Sequence, residues 1–488
     1  MLKANRKYSI GVDIGTTNLK AILFNDKLKV VADFSQHYNT YYNEYDYAEQ
    51  EIDDVYQAFL DAIVYLTDKA SNDDSYISNI SFSSAMHSLI LADYNKKAIS
   101  RNIIWSDNRA KDEITNFKKN NDWLDFYTRS GTPIHPMSPF AKLLWFKNNK
   151  QLNDMQYLFG IKEYLIYKIT GEYVMDYSIA SSTGLMNIHK LQWDEKILEF
   201  LGIENEMLPK LVDVDQVLKI SNKEFLAQTN VSEDTQLVVG ASDGCLVNLG
   251  ACALEKGKTT LTIGTSGAIR MTVDKPTLDN EGRTFCYYLK KDKWVIGGAV
   301  NNGGNVVEWL GRLLFDKSDE LFKRIPNIIN DIPCGSDGLF FMPYLHGERA
   351  PYWNANLQAS FINIRPIHTK EYFVKATLEG VIMNLKNVWL ILQEISGASS
   401  EIFVTGGLLS NENILPLVAN IFGKELVFQK NLEHACLGAT LIPNLDLYDV
   451  SESDQTLIFR PNLEKVESYK IIQNTFNEIS NQITGNSN

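Results

Sequence analysis

Apolar and polar residues alternate in two stretches about half the chain apart. Tyr8, Ile10 and Val12 lead through Gly11 and Asp13 into Gly15-Thr16-Thr17-Asn18, and Thr259, Leu261 and Ile263 lead into Gly264-Thr265-Ser266-Gly267. A period of two predicts strands with one buried face. A second strand-like run follows each turn, over residues 19–24 and 268–273, so both stretches read as β-hairpins. Glycine in such a turn lets the backbone approach an anion, successive N–H groups aim at it, and Thr or Ser hydroxyls add donors. Two such turns on two similar domains can close on one polyphosphate from opposite sides. The pattern therefore predicts a hinged, ATP-using molecule.

The remaining pattern fits two α/β halves. Residues 30–37 read as a third strand, and residues 52–70 as a helix with Val55, Phe59, Ala62, Ile63 and Leu66 on one face. Apolar runs at 77–82, 103–105 and 236–240 read as strands. They end in Ser83-Ser84-Ala85-Met86-His87, Ser106-Asp107-Asn108-Arg109 and Ala241-Ser242-Asp243-Gly244. Helical spacing covers about 141–148 and 161–169. In the second half, a strand at 293–298 precedes a helix at 305–314, a Gly/Pro-rich stretch at 331–356 and a helix at 370–393. A strand at 401–404 then ends in Thr405-Gly406-Gly407, and a helix follows near 413–422. No short repeat is visible; the duplication is of whole domains, 1–245 and 246–488. Residues 485–488 read as a frayed tail.

Composition narrows the classes. A chain of 488 residues exceeds one core, and 44% hydrophobic with 22% charged residues is the balance of a globular protein. The net charge of −13 argues against nucleic acid as the main partner, because a phosphate backbone needs a basic face. Cys245, Cys252, Cys286, Cys334 and Cys436 show no paired spacing and read as reduced thiols of a cytoplasmic protein. Residues 1–7 lack the apolar centre of a signal peptide, and no apolar run is long enough for a membrane span.

Several residues are placed to do chemistry. Asp13 reads as a carboxylate holding Mg²⁺ through water beside the phosphates, or as an ordinary turn aspartate. Gly406 and Gly407, between a buried strand and a helix, read as a flat seat for adenosine with a helix N-terminus behind it, or as a plain tight turn. Asp243 ends a strand, where ligands of α/β domains collect. A carboxylate there can take the proton of an attacking hydroxyl, and phosphoryl transfer needs positioning, charge neutralisation and such a base. A cap or salt bridge is the ordinary alternative. Met86 and His87 end another strand and could meet a sugar hydroxyl. Arg109 could grip a substrate carboxylate with two prongs; the residues alone favour an internal salt bridge with Asp107.

With these pieces in place the chain resembles the FGGY carbohydrate kinases over nearly its whole length. One signature is met by Met137-Ser138-Pro139-Phe140-Ala141-Lys142-Leu143-Leu144-Trp145-Phe146. The second falls on Ala359-Ser360-Phe361-Ile362-Asn363-Ile364 and continues to Ala376-Thr377-Leu378-Glu379-Gly380. It departs from the usual pattern at Asn363, where glycine is expected, and at Tyr372, where a polar residue is usual. Within the family the chain is similar to the gluconate kinases of Gram-positive bacteria, most specifically through Gly131-Thr132-Pro133-Ile134-His135-Pro136. Met86-His87 and the Trp105, Asp107, Arg109 set are shared with pentulose kinases.

The resemblance implies two actin-like, ribonuclease H-like domains with an interdomain cleft, and ATP, Mg²⁺ and a sugar acid as small-molecule partners. Gly15, Thr16, Thr17, Gly264, Thr265 and Ser266 would face phosphates, and Gly406 and Gly407 the adenosine. Asp13 and Asp243 would face the metal. Asp243 would be the catalytic base, and Met86, His87, Arg109 and Asp243 would form the sugar site. The expected reaction is phosphorylation of D-gluconate to 6-phospho-D-gluconate, with xylulose or another polyol as the rival substrate. Arg109, His87 and His135 are the candidates for the substrate's carboxylate. A homodimer is left open. A chaperone-type ATPase would need a peptide-binding domain after Gly407, and a repressor would need a basic helix-turn-helix before the first hairpin; the chain has little room for either.

Overall fold

Both predicted hairpins form in the computed structural model, and each sits at the centre of a mixed sheet. The structure describes all residues except 1–5, 45, 72–74, 153–154, 316–317, 398, 400, 431–432, 444–455 and 486–488. Most of the tail expected to fray therefore lies outside the described residues.

The first sheet contains β1 (Arg6–Ile14), β2 (Asn18–Phe24), β3 (Val30–His37), β4 (Ser75–Ser84), β5 (Val217–Lys219) and β6 (Gln236–Ser242). Their spatial order is β5-β6-β4-β1-β2-β3. The second contains β7 (Thr259–Ile263), β8 (Gly267–Val273), β9 (Phe285–Lys290), β10 (Lys293–Val300), β11 (Ile402–Thr405), β12 (Leu426–Gln429) and β13 (Thr456–Phe459). Their order is β9-β10-β8-β7-β11-β12-β13. Five strands repeat between the halves. In each sheet three antiparallel neighbours, β1-β2-β3 and β7-β8-β10, are joined through the first strand to two parallel ones, β4-β6 and β11-β12.

The expected single buried face is exceeded, because these central strands are covered on both sides: Ile10, Val12, Leu261 and Ile263 are fully buried, and Ser9 and Thr260 beside them are buried as well. Helix α1 (Ile52–Ser71) buries Val55, Phe59, Ala62, Ile63 and Leu66. Three further helices carry the site: α2 (Pro139–Asn148), α3 (Asp243–Gly250) and α4 (Gly304–Leu314). Helix α5 (Lys370–Ser396) is buried along most of its length, and α6 (His434–Leu441) closes the set. Among the described residues no helix is long and apolar enough to cross a membrane, and no disulfide joins the five cysteines.

Three expectations shift. The strand expected at 103–105 shrinks to Asn102–Ile103, because the chain turns at once: the Asp107 N–H donates to the Ile104 carbonyl at 3.2 Å. The helix expected near 413–422 opens as a 3₁₀ turn, Glu412–Ile414, and becomes α-helical only over Leu415–Phe422. The expected division at 245/246 falls inside α3.

Helix α3 is where the halves meet, and glycine sets how closely. A Cβ on Gly250 would lie 2.0 Å from the His434 carbonyl oxygen. One on Gly438 would lie 2.2 Å from that of Leu246, and one on Gly11 2.2 Å from that of Cys436. So β1, α3 and α6 touch backbone to backbone. Alanine at Gly438 would raise helix propensity by about 1 kcal/mol. A methyl group pressed into a main-chain oxygen cannot relax by rotating a side chain, and overpacking costs about 1–3 kcal/mol or more. Gly438→Ala should therefore lower the urea midpoint; an unchanged or raised midpoint would contradict the close approach.

Candidate active site

The turns of the two hairpins open on one cavity of about 580 Å³ whose wall comes from both halves. Thr16 and Thr17 line it from the first turn, and Gly264, Thr265 and Ser266 from the second. Gly15 lies just behind, with its N–H on the Asn18 carbonyl at 3.1 Å and its carbonyl accepting from the Tyr38 hydroxyl. The second turn is braced by the start of α4. The Gly304 N–H donates to the Gly264 carbonyl at 2.7 Å, and the Asn305 N–H to that of Thr265 at 3.1 Å. A Cβ on Gly303 would lie 2.6 Å from the Ser266 carbonyl oxygen, so this glycine pair is what lets helix and turn meet.

Asp243 is the first residue of α3 and lines the same cavity. Its Oδ1 accepts the Gly244 N–H at 2.6 Å. Burial pushes its carboxyl up, and the charges of Arg270 and, less strongly, Arg349 pull it back. Asp13 stands behind the first turn, where its Oδ1 accepts from the Ser83 hydroxyl at 2.7 Å. Burial and the nearby charge of Asp243 push its carboxyl up to about 7. Among the described residues no three His, Cys, Asp or Glu side chains converge as a metal cage. A pair of carboxylates is a donor set that suits Mg²⁺, which keeps waters and takes its other ligands from phosphates.

Met86, His87 and Trp105 line the cavity from the first half. The Trp105 Nε1–H donates to Thr16 Oγ1 at 2.8 Å, tying this wall to the first turn. His87 is buried, with φ of +70°. Its Nδ1 lies 2.8 Å from the Ser182 carbonyl, which can only accept, so Nδ1 carries the proton and Nε2 keeps a lone pair. Burial and the charge of Lys142 push its pKa down to about 3, so the ring is neutral. It can accept from a sugar hydroxyl, but it offers no charge to a carboxylate.

Arg109 is a correction. It does not line the cavity; its neighbour Asn108 does. Its guanidinium is 4% exposed and lies 2.8 Å from Asp107 and 2.5 Å from Glu49, over the Tyr47 ring at 4.1 Å. The internal salt bridge is the arrangement found. Gly406 and Gly407 are set back from the helix that follows them. The chain folds back so that the Leu408 N–H donates to the Ile263 carbonyl at 3.0 Å, and seven residues intervene before Leu415. They sit directly behind the second turn, where a Cβ on Gly406 would lie 2.5 Å from the Ile263 oxygen, and neither lines the cavity. The helix start beside a turn is that of α4.

Models of the FGGY family of carbohydrate kinases match residues 8–250, for the N-terminal domain, and 259–445, for the C-terminal domain. The chain belongs to the FGGY family of carbohydrate kinases. It is 41% identical over 462 residues to a gluconokinase of Bacillus subtilis (strain 168), covering 92% of this chain and 88% of that one. It is also similar to the crystal structure of a gluconate kinase from Lactobacillus acidophilus, with a TM-score of 0.93, 35% identity and coverage of 98% and 99% of the two chains. The structure of a ligand-bound xylulose kinase from the same organism matches at 0.92 and 35%, covering 98% of each chain. The actin-like, ribonuclease H-like fold expected from the sequence is that of these kinases.

The FGGY signatures have visible tasks in this chain. Lys142, on α2, is fully buried and donates to the carbonyls of His87 at 2.5 Å and Ile103 at 3.1 Å. It pins together the two segments that present His87 and Trp105. Asn363, at the position where glycine is usual, has φ of +64°; asparagine is among the few other residues that tolerate this backbone. Among the cavity residues that were not anticipated are Arg270, Tyr287 and Arg349. Arg270 does carry a signal, since a lone arginine inside the apolar run 268–273 must have a reason to be there. Arg349 lies in the irregular stretch 331–356, where no periodicity points to it.

The neutrality of His87 has a measurable sign. In the unfolded chain it protonates near 6.5, while in the folded chain it stays neutral down to about 3. Its contribution to stability is therefore complete above pH 6.5 and declines as pH falls. The cost of His87→Gln, measured by urea denaturation, should shrink by about 1.4 kcal/mol per pH unit between pH 6.5 and 5. A cost that stays constant over that window would contradict a neutral, buried ring.

Proposed function

We propose that this chain transfers the γ-phosphate of ATP to the terminal hydroxyl of D-gluconate, giving 6-phospho-D-gluconate. The observation that carries the reading is that both glycine–hydroxyl turns and the carboxylate of Asp243 line one cavity. The choice of gluconate is supported by the gluconokinase at 41% identity over 92% of this chain.

In this reading Thr16, Thr17 and the backbone of 264–266 hold the phosphates from the two halves, 1–245 and 246–488. Gly406 and Gly407, close behind the second turn, form the seat of the adenosine. Asp13 and Asp243 hold Mg²⁺, which when bound neutralises phosphate charge. The terminal oxygen of gluconate attacks the γ-phosphorus, the bond to the β–γ bridging oxygen breaks, and ADP leaves. The hydroxyl proton passes to Asp243. Burial makes that carboxylate a stronger base than a free aspartate, and it acts as the proton becomes acidic on bond formation. Closure of the halves excludes water, which would otherwise take the phosphate.

The ligand-bound xylulose kinase structure, at 35% identity, supports a second reading, with a pentulose as substrate. ADP release with gluconate, xylulose, ribulose, glycerol and glucose at matched concentration separates the two; xylulose turnover above that with gluconate would replace the first by the second. Asp243→Asn should lower kcat by about 10²–10⁴-fold. Near-normal turnover in that variant would remove Asp243 as the base.

A further inference from the structure

The cavity wall contains polar groups with nothing to bind. Ser106 Oγ, His135 Nε2, Arg270 Nε, Tyr287 OH and Arg349 Nε are buried, line the cavity and have no hydrogen-bond partner. All five can donate a proton. Buried donors without partners are costly, so a wall holding several is shaped for an acceptor-rich ligand.

Their chemistry can be resolved further. The Met137 N–H donates to His135 Nδ1 at 3.2 Å, so that nitrogen holds the lone pair and the proton is on Nε2. Burial and the charges of Lys118 and Arg349 keep the ring neutral. Of the three histidines that line the cavity, His87 and His135 therefore have opposite roles: His87 keeps a lone pair on Nε2, and His135 carries an N–H there. Arg349 is 8% exposed. Its Nη2 donates to the Val300 carbonyl at 3.0 Å, and its guanidinium lies over the Trp105 ring at 4.6 Å, which fixes its plane. The nearest acid in sequence, Glu348, accepts the Arg349 N–H at 2.9 Å, and its charge is the one that acts on the guanidinium most strongly, but the carboxylate is shared with other donors. It accepts the Asn301 N–H at 2.6 Å and the side chains of Asn302 at 3.1 Å and Asn384 at 3.0 Å. Among the described residues no carboxylate forms an ion pair with the Arg349 guanidinium, although Glu348 and Asp243 lie near enough for their charges to act on it.

Arg270 stands closer to Asp243 than Arg349 does. Asp243 feels Arg270 more strongly than Arg349, and Arg270 packs on Gly244, with its Nε 3.1 Å from where a Cβ would be. His135 feels Arg349. The carboxylate of a hexonate lies at the opposite end of the carbon chain from the hydroxyl that accepts the phosphate. Arg270 therefore belongs to the transfer end.

We propose that Arg349 and His135 together hold the carboxylate of the substrate and select a sugar acid over a neutral polyol of the same length. Arg349 supplies the charge, and the His135 Nε2–H supplies a directed donor. This assignment rests on the gluconokinase reading. It also gives a task to the sequence block that most specifically resembles gluconate kinases, the one containing His135.

The test uses the full chain with gluconate and with D-glucitol, which has the same carbon skeleton with CH₂OH in place of the carboxylate. Gluconate is measured as substrate and by calorimetric binding, and D-glucitol as a competitive inhibitor. Arg349→Met and His135→Leu should each raise KM and Kd for gluconate by about ten- to a hundredfold, the loss of one charge-assisted or buried hydrogen bond. The inhibition constant of D-glucitol and the KM for ATP should stay within a factor of about two. His135→Gln, which keeps a donor, should recover part of the loss. Equal weakening of gluconate and D-glucitol, or an unchanged gluconate KM in His135→Leu, would overturn the assignment. Should Arg349→Met fail to fold, His135→Leu and His135→Gln decide alone. Wild-type protein that phosphorylates xylulose and ignores gluconate would overturn the functional reading and this assignment with it. Wild-type gluconate turnover with variants blind to the carboxylate would overturn only the assignment.

Discussion

No side chain fits between β1, α3 and α6. The contacts of Gly11 with Cys436, Gly250 with His434 and Gly438 with Leu246 bring main chain against main chain, and every other feature of the cavity depends on that spacing. Helix α3 begins with Asp243 and ends with Gly250, so the packing of its last residue on α6 sets where its first stands. The same α6 residue Cys436 touches the strand that carries Asp13. Small residues at the junction thus hold the two acids of the site at a fixed separation while the sheets on either side supply the turns.

Around this junction the cavity is built from charges kept out of water. Arg270 and Arg349 face it, and Asp243 balances chiefly the first. Lys142, fully buried, turns its ammonium to two carbonyls and holds the segments bearing His87 and Trp105 together. Arg109 is enclosed by Asp107 and Glu49, outside the cavity. The protein as a whole is acidic, with a net charge of −13, yet its ligand cavity presents donors and cations. A local reversal of sign of this kind is what a polyanionic cargo requires, because distant surface charge is screened while enclosed charge is not.

What could be read from the sequence was local in origin. The hairpins at 8–24 and 259–273 and the face of α1 follow from periodicity, which the chain encodes within a few residues. Asp243, Met86 and His87 could be placed because strand ends point to clefts. For Arg109 the residues alone favoured the salt bridge with Asp107 that is found, and only the family resemblance drew it to the sugar site. The path of the chain after Gly406 and Gly407 could not be read, since a fold-back onto Ile263 leaves no periodic trace. Arg349 was invisible, lying in an irregular stretch whose path is set by contacts with Val300 and Trp105 far away in the chain. The proton position on His135 depends on one backbone N–H, that of Met137, and so exists only in the folded chain.

Trp105 joins two things that belong to different halves. Its indole N–H is bonded to Thr16 in the first turn, and its face carries the guanidinium of Arg349 from the second half. Any separation of the halves must lift a cation from an aromatic surface, and any rearrangement of the first turn must tug the same ring. Indole emission is sensitive to both events. Of the chain's eight tryptophans, this one would give an optical signal, without labelling, of any change in the spacing of the halves.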